Sequence, residues 1–214
     1  IGIVIGSIAL LLACCSAQAR EAIFKDGHLP GWSDTRARVL LHWPTRSYGF
    51  GELRGHFVLP NVLDQNKYNR SRNCISYVGL ANRLMANNME VEPALGWRFK
   101  TGEPIASLRV KNLWQGGVWS WSCLEYTPAT KAGYYFWQCD GPITLQGLPV
   151  QVGLEAEGWL QEQGGWTHGG GPNLIFTFHR GASKFELHTA VHYRRLAGEW
   201  APELFFRFNL FPGG

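Results

Sequence analysis

The chain has 214 residues, a net charge of +4, and an unusual load of 10 Trp, 12 Phe and 26 Gly. Its basic residues fall in scattered pairs such as Arg36 with Arg38 and Arg194 with Arg195, which form no stripe and exclude a nucleic-acid surface. A composition rich in glycine and aromatics, without a long amphipathic helix, excludes an α or α/β class and points to an all-β domain.

Residues 1–19 read as an export signal. Ile1–Ala13 is uncharged and almost wholly apolar or small, too short to span a bilayer comfortably and suited to a signal h-region. Ala17-Gln18-Ala19 fits an ordinary signal peptidase site, and Leu11–Cys14 resembles a bacterial lipobox that would lipidate Cys14. Either way the protein is expected to be exported: extracellular, periplasmic, or lipid-anchored at the cell surface. A membrane contact is expected only through such an anchor. Residues 20–214 then form a single domain.

Glu21–Asp34 is a polar entry. Strands are predicted over Arg36–Trp43, Glu52–Leu59 and Cys74–Leu80, separated by a turn at Pro44–Phe50 and a polar loop at Asn61–Asn73. Ala81–Asn88 reads as a short helical turn or a loop. Met89–Phe99 alternates again, with Pro93 suggesting an edge or a bulge. Ile105–Val110 leads into Leu113–Pro128, a two-faced strand region with Trp119, Trp121 and Cys123 on one face and Val118, Ser120, Ser122 and Leu124 on the other. Gly133–Cys139, Ile143–Leu145 and Pro149–Glu157 continue the meander. Gln161–Pro172 reads as a flexible glycine-rich loop, and Asn173–His179, Lys184–Arg195 and Glu203–Phe211 close the chain. About twelve short strands without βαβ alternation predict a two-sheet antiparallel jelly-roll sandwich, with an up-and-down barrel as the alternative.

Cys123 and Cys139 flank a hairpin and are expected to form a disulfide, leaving Cys74 over. No cysteine or histidine cluster has zinc spacing, so neither a metal nor a cofactor is expected. Glu90 with Glu92 and Glu155 with Glu157 are i, i+2 carboxylate pairs, each on one strand face. Such pairs can split their titration in a cleft, or simply point into water. His188 and His192 share a face roughly 13 Å apart, too far for one metal. Trp97, Trp114, Trp119, Trp121 and Trp137 could core the domain or stack on sugar rings.

Several stations in chain order resemble the glutamic peptidases, or eqolisins. Gly55–Pro60 resembles the family's Gly-x-Phe-x-Val-Pro strand, and Tyr77-Val78-Gly79-Leu80 its Trp-Val-Gly-Ile segment. Leu113–Val118 resembles the stretch carrying the catalytic glutamine, and Glu199–Phe205 resembles Glu-Trp-x-x-Glu-x-Phe, which carries the catalytic glutamate. Leu124–Pro128 is similar to the family's Tyr-Glu-Trp-Tyr-Pro. The resemblance implies a concanavalin-like sandwich and acid-pH hydrolysis of a polypeptide. Glu199 would be the general base on water and Gln115 the oxyanion donor, while Glu125 would help to orient the substrate. Glu92 stands where the spacing from Tyr77–Leu80 would put the glutamine, and a carboxylate there implies a non-peptidase role or an inactive relative. The alternative is a non-catalytic sandwich that binds a polysaccharide or other ligand on Trp114, Trp119 and Trp121.

Overall fold

The computed structural model describes residues 34–48, 51–59, 74–85, 88–99, 101–145, 148–161, 165–196 and 199–212. They form eleven strands: β1 (Asp34–Tyr48), β2 (Gly51–Leu59), β3 (Ile75–Leu84), β4 (Met89–Arg98), β5 (Glu103–Leu113), β6 (Trp119–Thr127), β7 (Ala132–Leu145), β8 (Leu148–Gln161), β9 (Gly165–Arg180), β10 (Ser183–Leu196) and β11 (Glu199–Phe211). Each strand pairs antiparallel with its neighbour in sequence, and β1 pairs parallel with β11 from Asp34↔Glu203 to Leu41↔Leu210. The result is one closed barrel. The jelly-roll sandwich is therefore overturned. A sandwich needs two sheets with free edges and crossings between them. Here no strand leaves its sequence neighbours and the seam removes the last edge.

An odd strand number follows from the parallel seam, since an up-and-down meander can close in parallel only if its first and last strands run the same way. The β1–β2, β3–β4, β5–β6, β7–β8 and β9–β10 connections lie at one rim, here the upper. The other five lie at the lower rim.

The short β5–β6 connection holds a 3₁₀ turn at Gln115–Gly117, with Gly116 at φ 74° and Gly117 at φ 78°. That left-handed backbone is what the Gly-Gly pair supplies. Ala81–Asn88, read above as a helical turn or loop, instead extends β3 to Leu84 before the chain turns. The supposed loop at Gln161–Pro172 is strand from Gly165 onward. Its Gly169 and Gly171 lie opposite Glu157 and Glu155 in the pairing. A Cβ at Gly169 would sit against Arg194, and one at Gly171 against the Val191 carbonyl. The glycines thus let the backbone of β10 approach β9 closely.

The barrel is inverted relative to a soluble domain. Inward positions carry Arg54, His56, Glu92, Arg109, Gln138, Glu155, Glu157, His188, His192, Arg194, Glu203 and Arg207, among which Glu157, His192 and Glu203 are fully buried. Outward positions carry Val78, Leu95, Leu108, Leu124, Trp137, Leu154, Phe178 and Val191, and Leu95 is 74% exposed. Apolar side chains also occur inside, in two patches. Leu40, Val58, Ile75, Tyr77, Ala94 and Ile105 form one, and Cys123, Tyr134 and Phe136, with Trp121 and Trp159, form the other.

Candidate functional site

The lower half of the lumen is closed by side chains from β7 to β11. Arg194 Nε donates to Glu203 Oε2 at 2.6 Å, and its Nη2 donates to Glu157 Oε1. Tyr134 Oη donates to the other Glu157 oxygen at 2.9 Å. His192 Nε2 donates to Glu155 Oε1 at 2.8 Å, and Asn173 Nδ2 donates to Glu155 Oε2 at 3.1 Å. Arg207 lies over the Phe136 ring at 4.5 Å and donates to Gln138 and to His188 Nδ1. Arg207 can only donate, so His188 Nδ1 accepts from it, while Nε2 lies 3.2 Å from Glu186 Oε2 and 2.9 Å from Asn209 Nδ2. Glu157, His192 and Glu203 have the spacing of a metal site. Arg194 already supplies positive charge to both carboxylates, so the donor set fits a guanidinium rather than an ion.

Above this network lies an open chamber of about 380 Å³. One wall comes from β1 to β5. Arg54 holds Glu90 through two bonds, at 2.5 and 3.0 Å, and reaches Glu52 at 2.8 Å. Glu92 accepts from His56 Nε2 at 2.7 Å and from Arg109 Nη1 at 2.9 Å. His56 Nδ1 meets His42 Nδ1 at 2.8 Å, and His42 stacks on Phe211 with centroids 4.5 Å apart. From β10, two strands round from β1, Lys184 Nζ donates to Glu186 at 2.9 Å. Trp119 and Trp121 face the chamber from β6, and Trp119 Nε1 donates to Gln151 at 3.0 Å.

The residues singled out from the sequence are dispersed by this fold. Gln115 sits in the upper-rim turn and Glu199 opens β11 at the lower rim. The two stand at opposite ends of the barrel. Glu92 lies in the chamber wall, while Glu125 faces the inside lower down. Trp114 is exposed at the upper rim, apart from Trp119 and Trp121. Cys123 and Cys139 are free, and the expected disulfide is ruled out by parity. Cys123 pairs with Phe136 and faces inward, whereas Cys139 pairs with Ser120 and faces outward. Cys14 and the rest of the proposed export signal lie outside the described residues.

Sequence reasoning missed Arg54, Arg109, Lys111, Lys184, Glu186 and Arg207 as site residues. The usable signal is that they and both glutamate pairs fall on the same parity as the strands follow one another. No protein-family model, curated protein or solved structure matches the chain.

Proposed function

We propose that this protein is a membrane-spanning β-barrel, closed to free passage of solutes, that presents an internal chamber to one side of the bilayer. The observation that carries this reading is the chemistry of the outward face. From β2 to β11, the outward positions of the described residues hold no Asp, Glu or Lys, and their Arg residues, Arg180 and Arg195, sit near strand ends. Surface apolar patches on soluble monomers reach a few hundred Å². Here the apolar band runs round the wall, through Val78, Leu95, Leu124, Leu154 and Val191.

Two further features agree. The strands have 9 to 16 residues, enough to cross a hydrocarbon core when tilted. Exposed aromatics gather near the rims: Trp97, Tyr126, Tyr193 and Trp200 toward the lower, Trp43 and Trp114 toward the upper. Amphipathic rings favour the membrane–water interface. Contact with lipid would thus run through the wall itself, with or without a lipid anchor. The closed lower half argues against an open pore, since Glu157, His192 and Glu203 admit no solvent.

The test is reconstitution of the purified protein into lipid vesicles. It should float with the vesicles, resist extraction by urea or alkali, and give no steady open-pore conductance in a planar bilayer. A monomer that stays soluble without detergent would overturn the membrane reading, and a large steady conductance would overturn the closed lumen.

A further inference from the structure

The upper chamber is densely charged. Arg54, Arg109, Lys111, Lys184 and Arg207 line it with Glu90, Glu92 and Glu186, while Glu52 lies on Arg54 at 2.8 Å and Glu155 lies 3.8 Å from Arg207 just beyond the lining. Each carboxylate has its own cationic or imidazole donor. Glu90 is held by Arg54, Glu92 by Arg109 and His56, and Glu186 by Lys184. Lys111 is the exception. Its cross-strand neighbour is Glu90, which Arg54 already takes through two bonds. The Lys111 ammonium lies 5.5 Å from the centroid of the Trp119 ring, and Lys184, Glu90, Glu186 and Arg54 act on it through their charges. Arg207 adds buried positive charge nearby, with Nε and Nη1 lacking hydrogen-bond partners and the guanidinium 5.6 Å from the Trp121 centroid.

We infer that the upper chamber binds a small organic anion, with its acid group on Lys111 and its apolar or ring portion against Trp119 and Trp121. The Lys111 ammonium and the unpartnered Arg207 Nε and Nη1 favour a carboxylate or phosphate over a neutral or basic ligand. The indoles supply a flat apolar wall beside the charge, so an aromatic or sugar-like body suits the space better than a bare inorganic ion. A volume of about 380 Å³ admits a molecule of that size and no folded domain. The Gly116–Gly117 turn at the upper rim borders the mouth. The chamber lies inside the wall whether or not the wall contacts lipid, so this inference does not rest on the membrane reading.

The test is calorimetric titration of the folded barrel in a nonionic detergent with phenyl phosphate, benzoate, benzyl alcohol and benzylamine. Folding is checked separately by the heat-dependent shift in electrophoretic mobility. The two anions should bind, with the alcohol and the amine much weaker. A charged hydrogen bond of about 1.5–3 kcal/mol corresponds to a loss of roughly 10- to 100-fold in affinity for Lys111→Gln, whereas Lys111→Arg should stay near wild type. Equal binding of benzyl alcohol, preference for benzylamine, no anion binding at millimolar concentration by folded protein, or an unchanged affinity in Lys111→Gln would each overturn the proposal. Flotation with vesicles is unaffected by any of these results, so the two readings fail separately.

Discussion

Arg194 stands between Glu157 and Glu203, donating to one carboxylate from Nη2 and to the other from Nε. All three side chains are sealed from solvent. Removing the guanidinium leaves two buried carboxylates facing each other with no cation between them. Arg194→Leu should therefore lose about 3–5 kcal/mol of stability, as breaking buried ion pairs does elsewhere. Adding Glu157→Gln and Glu203→Gln to the same chain should recover a large part of that loss. Urea unfolding of the three chains in detergent measures both steps, and a neutral Arg194→Leu would show that the network does not hold the lower lumen together.

Leu154 lies on the outward face near the middle of β8 and is 57% exposed. If the wall sits in hydrocarbon, Leu154→Arg should cost about 2–4 kcal/mol, the depth-dependent penalty for a cation at the bilayer midplane. On a wall facing water the same change would be near neutral. Reversible folding into vesicles, compared with folding in detergent, separates the two outcomes.

The two hairpin cysteines give a covalent readout of strand parity. Cys123 points into the barrel and Cys139 away from it, although β6 and β7 are direct neighbours. Alkylation of the denatured protein without reductant should therefore label both, and peptide mass mapping should find no bond between them under oxidising conditions. A Cys123–Cys139 disulfide in the folded protein would contradict the register of this hairpin.

Much of the strand pattern is legible in the sequence, and its sign is not. The two faces over Leu113–Pro128 follow from alternation alone, with Trp119, Trp121 and Cys123 on one side of β6 and Ser120, Ser122 and Leu124 on the other. Period-two alternation is the same whether the apolar side faces a core or faces outward. A reader expecting a water-soluble domain turns Glu90, Glu92, Glu155 and Glu157 outward. The fold turns them inward, where each finds a guanidinium, an imidazole or a hydroxyl. The glycines of β9 mislead for a related reason. They read as flexibility, yet they are where the β10 backbone at Val191 and Arg194 comes too close for a Cβ. Nor could Gln115 and Glu199 be separated in advance, since motif order along a chain says nothing about which rim each reaches.

Gly79, on the opposite wall, makes room for a side chain instead. A Cβ there would collide with the Glu92 carboxylate, which binds His56 and Arg109. Gly79→Val should cost about 1–3 kcal/mol through overpacking. Gly55→Ala is the matched control, because its nearest contact would be Trp43 at 3.9 Å. Thermal unfolding midpoints of the two variants should differ, and equal midpoints would mean that the chamber wall yields freely at Glu92.

The parallel seam joins Asp34–Leu41 to Glu203–Leu210, segments from opposite ends of the chain. Until β11 is in place, β1 exposes an unpaired row of amide and carbonyl groups, and hydrocarbon tolerates no such edge. If the wall crosses a bilayer, insertion and closure are therefore one event. In a bilayer-spanning wall, the β1 edge would have to stay sheltered from hydrocarbon until the last strand arrives.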